Sequence, residues 1–195
     1  NVFVATDDER ISDVIEDYGY NYIMTTDCPS GTDRVAQASR LIEADIVLNI
    51  QGDEPLLNPN DIERVIEHKK KHMDSVINCM SKIDSEEANN VNTIKVVTNF
   101  NNDLIYMSRS PIPATKVGLS DNTYKQVCIY AFTKEQLEKF YKMKKTLLEL
   151  DEDIDILRFL EMGINVKMIE TFGTTQAVDV PQDVDKVVGL INVSS

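Results

Sequence analysis

Short apolar runs alternate with helix-length amphipathic segments along most of this chain, and that alternation limits its fold more than any other feature. Val2-Phe3-Val4-Ala5-Thr6 reads as a buried strand ending at Asp7-Asp8-Glu9, where acidic side chains suit the start of a helix. A helix near Arg10 to Tyr18, a strand near Tyr22 to Thr25 and a helix near Asp33 to Glu43 follow. Next come a strand at Ile46-Val47-Leu48-Asn49-Ile50, a helix from about Asn60 to Lys71 and a strand near Ser75 to Met80. Apolar strands separated by amphipathic helices predict a mostly parallel sheet covered on both faces.

The pattern changes between about Thr93 and Phe132. There Ile94-Lys95-Val96-Val97, Leu104-Ile105-Tyr106-Met107 and Gln126-Val127-Cys128-Ile129-Tyr130 read as strands joined by Asn-, Pro- and Gly-bearing turns. An antiparallel β-rich excursion on the main sheet is expected, at about 104–130. Helices near Lys134 to Lys142 and Asp153 to Met162, a strand near Val166 to Glu170, a short strand before Asp179 and a last helix from Pro181 complete the reading. Proline suits a first helical turn, where its missing N–H costs nothing. No segment reads as an interdomain linker, so residues 1–195 are expected to form one α/β domain.

A chain of 195 residues, 42% hydrophobic and 27% charged, can bury a continuous core. No apolar run approaches the roughly 18 residues that a membrane span needs, and no N-terminal export pattern is present, so a cytoplasmic protein is expected. The net charge of -13 repels polyanions, which argues against nucleic acid and anionic membranes as partners. An anionic small ligand would need metal ions or a few well-placed Arg and Lys residues to offset that field. Cys28, Cys79 and Cys128 lack metal or redox spacing and read as free thiols. His68 and His72 flank Lys69-Lys70-Lys71, where a cation would be repelled, and read as a solvated helix end.

Three segments carry candidate chemistry. Gln51-Gly52-Asp53-Glu54-Pro55 directly follows the strand Ile46 to Ile50. Ligands of open α/β sheets collect beyond the carboxyl ends of strands, and Asp53 offers the hard carboxylate that Mg²⁺ accepts. Asp179, in Gln176-Ala177-Val178-Asp179-Val180-Pro181, stands before another helix, so two carboxylates converging on one ion are conceivable. Ser30-Gly31-Thr32-Asp33-Arg34 opens a helix with hydroxyls, a glycine and amides suited to a polar, partly anionic ligand. Each also reads as a helix cap or solvated turn, and taken singly the residues leave both readings open.

In order and spacing, these segments together with Ser108-Arg109-Ser110-Pro111-Ile112-Pro113 and Val178-Asp179-Val180-Pro181 resemble the motifs of the 3-deoxy-manno-octulosonate cytidylyltransferase (CMP-Kdo synthetase) family. The opening Val4-Ala5-Thr6-Asp7-Asp8-Glu9-Arg10-Ile11 matches too, and the likeness runs from Val2 to about Val188. It implies a Rossmann-like nucleotide-diphospho-sugar transferase fold and a homodimer formed through the β-rich excursion. The implied activity is Mg²⁺-dependent transfer of CMP from CTP to an acidic keto-sugar, feeding lipopolysaccharide or capsule synthesis. The resemblance assigns Asp53 and Asp179 to catalytic Mg²⁺, and Ser30, Thr32, Asp33, Arg34 and Gln51 to the nucleotide. It assigns Arg109, Gln126 and Tyr130 to the sugar. Alternatives are a cytidylyltransferase for another acidic sugar and a non-catalytic or truncated homologue. An NAD-dependent dehydrogenase is disfavoured because no G-x-G-x-x-G follows a strand.

The chain departs from the family in three places. The family's opening strand and basic loop, roughly Arg-x-x-Ser-x-Arg-x-Pro-Gly-Lys-x-Leu, have no counterpart, so the main phosphate-binding loop is expected to be absent from this chain. Tyr124-Lys125-Gln126-Val127-Cys128-Ile129-Tyr130 stands where Tyr-Lys-His-Ile-Gly-Ile-Tyr is usual, putting an amide in place of an imidazole and a thiol in place of a glycine. The segment from Thr146 to Arg158 also differs from the usual Pro-Leu-Glu-x-x-Glu-x-Leu-Glu-x-Leu-Arg, so contacts to the sugar are expected to differ as well.

Overall fold

The computed structural model describes residues 1–116, 118–120, 122–172, 177–178 and 180–194. Its first half runs β1 (Val4–Thr6), α1 (Glu9–Asp17), β2 (Tyr22–Met24), α2 (Gly31–Ser39), β3 (Ile46–Ile50), α3 (Pro59–Lys71) and β4 (Val76–Lys82). These elements follow the expected alternation, and local chemistry sets their starts. Asp8 caps α1 by accepting from Arg10 N at 2.9 Å. Asn58 caps α3, with Pro59 in the first turn.

The chain continues through α4 (Ser85–Ala88), β5 (Lys95–Thr98), β6 (Leu104–Ser108), β7 (Ala114–Thr115), β8 (Gly118–Leu119) and β9 (Tyr124–Thr133). Then come α5 (Lys134–Lys142), α6 (Leu147–Glu152), α7 (Ile156–Glu161), β10 (Val166–Glu170) and α8 (Pro181–Ser194). The helix expected from Asp153 to Met162 is α7, which begins at Ile156, and a further helix not read from sequence, α6, precedes it. Asp153 adopts a left-handed conformation, φ 53°, which ends α6 before α7 begins. The short strand expected before Asp179 lies largely outside the described residues.

The sheet is mixed, not mostly parallel. β1 pairs with β2 in parallel as a separate two-stranded sheet. The six-stranded sheet runs β10-β4-β9-β5-β6 with β3 also on β9; β10 and β4 are parallel, whereas β9 is antiparallel to β3, β4 and β5. The antiparallel sense of β9 was expected, but not its place at the centre of the sheet, where it separates β3 from β4, two strands read as neighbours in a parallel sheet. The excursion expected at 104–130 is antiparallel and joins the main sheet, as read. It supplies β6 and most of β9 to the main sheet, and β7 with β8 forms a small hairpin outside it.

β9 divides the core. Tyr130 and Phe132 face one side, where Phe132 stacks on Phe159 (5.4 Å between centroids) and Phe159 on Phe140 (4.8 Å) beneath α5 and α7. Val127, Ile129 and Ala131 face the other, against Val65 of α3 and Cys79. Each fully buried aliphatic or aromatic side chain contributes roughly 1.5–3 kcal/mol, so the two layers fix β9 as the centre of the molecule.

Lys69 is fully buried at the end of α3, where its ammonium donates to Met73 O (3.1 Å), Ser75 O (2.6 Å) and Gln136 Oε1 (2.7 Å). Burial pulls its pKa down to about 8. Between about 8 and the unfolded value of roughly 10.4, the unfolded chain holds more protons, so this group's contribution to stability rises with pH through that window. Urea unfolding of wild type and Lys69→Met from pH 7 to 10 is expected to show wild type gaining on the variant above pH 8 or so; a constant difference would contradict this reading.

Candidate active site

A cleft opens where the sheet divides. β4 pairs with β9 at both ends of the strand, so β3, on residues 129–133, and β5, on residues 124–125, share the opposite edge. Between them the edge is held by Gln126 N donating to Ile94 O (2.8 Å) and Gln51 N donating to Cys128 O (3.3 Å). The chain leaves β3 at Ile50 and turns away, and the resulting cleft has a volume of about 1130 Å³. Its lining brings together Ser30, Gln51, Asp53, Arg109, Gln126 and Tyr130, six of the residues singled out from sequence.

Ser30 caps α2: its Oγ accepts from Asp33 N at 3.2 Å. Asp53 sits on the loop after β3, and its carbonyl accepts from Val178 N at 2.8 Å, so the 177–178 segment lies against that loop. Asp179 itself lies outside the described residues. Arg109 is held by its surroundings: Nε donates to Glu152 O (2.7 Å), Nη2 to Asp153 O (3.1 Å) and Nη1 to Val91 O (3.4 Å). A guanidinium has five donors, so among the described residues one N–H on each terminal nitrogen makes no hydrogen bond, with the Asp153 carboxylate 3.9 Å from Nη2. Tyr130 is buried, and desolvation, reinforced by Cys128, Asp155 and Asp53, pushes its phenol well above the ordinary value. It therefore acts as a neutral hydroxyl.

Thr32, Asp33 and Arg34, also singled out from sequence, lie outside the described cleft lining. Thr32 is fully buried, and its backbone N donates to Asp155 Oδ2 at 3.1 Å. Asp33 is drawn inward by Arg158, whose Nη2 lies 3.1 Å from Asp33 Oδ2 with the guanidinium only 1% exposed. A buried guanidinium requires carboxylate partners, and that requirement fixes Asp33. Arg34 turns the other way, 3.0 Å from Asp7 and 2.6 Å from Thr25 Oγ1.

The lining also contains residues that sequence reasoning missed. Asp155 reaches the cleft from just before α7, hidden in the acidic run Asp151-Glu152-Asp153, which reads as solvated charge. Lys125, Lys145 and Lys186 join Arg109 as cations on the walls, from three separate stretches of chain. Against these four stand eight carboxylates among the described lining residues, including Asp53, Glu54, Asp155 and Asp183. Among the described residues no group of three or more His, Cys, Asp and Glu side chains is placed to enclose a metal ion. A hard divalent cation that takes one or two carboxylates and completes its shell with water and phosphate fits this acidic, oxygen-rich lining.

Comparison with known proteins places the geometry. A family profile described as cytidylyltransferase matches residues 1–169. The chain is 35% identical over 192 residues to the 3-deoxy-manno-octulosonate cytidylyltransferase of Escherichia coli, covering 97% of this chain and 78% of that protein. It is 38% identical over 202 residues to the protein of that name from Trichlorobacter lovleyi, covering 94% and 78%. A solved structure of CMP:2-keto-3-deoxy-manno-octonic acid synthetase complexed with CTP superposes with a TM-score of 0.92 at 34% identity, covering 100% of this chain and 82% of that one. The inositol-1-phosphate CTP transferase of T. maritima, at 18% identity and a TM-score of 0.67, shares the fold. On this likeness of sequence and of mixed α/β fold, the chain belongs to the 3-deoxy-manno-octulosonate cytidylyltransferase family of nucleotidyltransferases.

Proposed function

We propose that this protein transfers CMP from CTP to an acidic keto-sugar, 3-deoxy-manno-octulosonate, with release of pyrophosphate and with Mg²⁺ bound at Asp53 and Asp179. The observation that carries the reading is the place of Asp53, at the carboxyl end of β3 in a cleft with more acids than cations. A triphosphate brought there without a divalent ion meets net repulsion. Mg²⁺, when bound, supplies charge neutralisation at the phosphates and orders them for in-line displacement.

The remaining work is positioning. The two spare N–H groups of Arg109 suit the carboxylate of the sugar acid, since a guanidinium fork matches a carboxylate bidentately. Gln126 and Tyr130 offer neutral polar groups to its hydroxyls, and Ser30 and Gln51 border the nucleotide end. The anomeric hydroxyl, held this way, attacks the α-phosphorus as pyrophosphate departs. No covalent enzyme intermediate is needed. The same reading makes the protein a homodimer, and Ile105 of β6, 58% exposed, is an apolar side chain that such an interface would cover.

The test is pyrophosphate release by the complete gene product across a panel of acidic keto-sugars. Release is expected with CTP and 3-deoxy-manno-octulosonate in Mg²⁺, falling by at least about 100-fold when the metal is chelated. No product with any sugar acid would refute the activity.

A further inference from the structure

Asn78 is fully buried in the middle of β4, opposite an irregularity in β9. Asn78 pairs with Tyr130, yet the next residue, Cys79, pairs with Val127, so Cys128 and Ile129 have no partners on β4. A bulge of this kind interrupts the ladder and redirects side chains. Asn78 fills the interruption. Its Nδ2 donates to Val127 O (3.0 Å) and to Ile129 O (2.9 Å), and its Oδ1 accepts from Gln126 Nε2 (2.9 Å).

The direction of every bond in this set is forced. Backbone carbonyls only accept, so the Asn78 nitrogen must face Val127 and Ile129. Its oxygen is then left for Gln126, and because that oxygen also only accepts, Gln126 must present its nitrogen. Gln126 is 8% exposed and lines the cleft, and among the described residues its Oε1 accepts no hydrogen bond. A buried amide that cannot flip keeps one polarity toward its ligand.

We infer that Asn78 and Gln126 form a locked amide pair that turns the Gln126 carbonyl oxygen toward the cleft, so that the sugar group docking there is a hydroxyl donating a hydrogen bond and not the carboxylate. This deepens the activity proposed above and rests on it. A carboxylate brought to Gln126 Oε1 would set acceptor against acceptor, whereas Arg109 offers it two donors. Asn78 touches no substrate; it is a positioning residue that acts through Gln126.

The experiment is steady-state kinetics of the complete gene product with CTP, Mg²⁺ and 3-deoxy-manno-octulosonate, repeated with analogues in which one hydroxyl at a time is replaced by fluorine, which cannot donate. Wild type is expected to lose about tenfold in kcat/KM with one of these analogues, the worth of one good hydrogen bond. In Gln126→Met the KM for the sugar acid should rise by a similar factor with the KM for CTP unmoved, and the penalty for that analogue should vanish. Asn78→Thr, which frees the amide to rotate, should shrink the penalty in the same analogue. A penalty that persists unchanged in Gln126→Met would overturn the inference, and so would a wild type indifferent to every fluorine substitution. Because Gln126→Met does not alter the Asn78 donors to the bulge, it decides the matter even if Asn78→Thr fails to fold. Absence of wild-type turnover with any sugar acid would overturn the proposed activity, and the inference with it; normal turnover with an unchanged fluorine profile would overturn the inference alone.

Discussion

Asp53→Asn is expected to lower pyrophosphate release by about 100- to 1000-fold, the usual scale for removing one electrostatic contact to a transition state. The substitution keeps the size and shape of the side chain and removes the charge that a divalent ion needs. The fold should survive it. Asp53 is half-buried on the cleft wall, and the bond that ties its loop to Val178 uses its backbone carbonyl, which asparagine retains. Thermal melting should therefore shift little while activity collapses. Normal turnover in Asp53→Asn would break the assignment of this carboxylate.

Arg158→Met is expected to destabilise the protein by about 3–5 kcal/mol, because removing one member of a buried ionic cluster strands the others. Arg158 Nε donates to Glu149 Oε2 (2.6 Å), Nη2 donates to Glu149 Oε1, and Nη1 and Nη2 reach the two oxygens of Asp33 at 3.2 and 3.1 Å. The guanidinium also lies 3.6 Å over the Phe140 ring. Glu149 and Asp33 are 1% and 4% exposed, so neither carboxylate finds water once the arginine is gone. The cluster joins α2 to α6 and α7, and Thr32 N to Asp155 adds a bond beside it. Loosening it displaces Ser30 and Asp155 on the cleft wall, so activity should fall along with the urea midpoint. A loss of less than about 1 kcal/mol, the scale of an exposed ion pair, would contradict this account.

How far such features could be read from the residues depends on whether their cause is local. The loop holding Asp53 was legible because Ile46 to Ile50 is a largely apolar run followed within a few residues by Gly52 and Pro55, which places the acid at a strand end. The cap at Asp8 was local for the same reason. The Asp33–Arg158 pair was not legible because the two residues are 125 apart, and a helix-opening Asp looks alike whether it faces a ligand or a buried guanidinium. The central place of β9 between β3 and β4 was hidden because pairing between distant segments leaves no mark in either strand's own residues. Asp155 was lost in an acidic run, where only the left-handed turn at Asp153 and the start of α7 single it out. The family resemblance named Gln126 and Tyr130, but the bulge that aims them depends on Asn78, which sequence reading passed over as one residue of a strand.

The central claim is that Asp53 holds a divalent ion against the phosphates of CTP in the cleft between β3 and β5. A crystal grown with CTP and Mn²⁺ tests it directly, because anomalous scattering locates the metal independently of the protein. The account predicts one anomalous peak at roughly 2.1 Å from an Asp53 carboxylate oxygen and from a phosphate oxygen. CTP bound with its metal remote from Asp53 would contradict it.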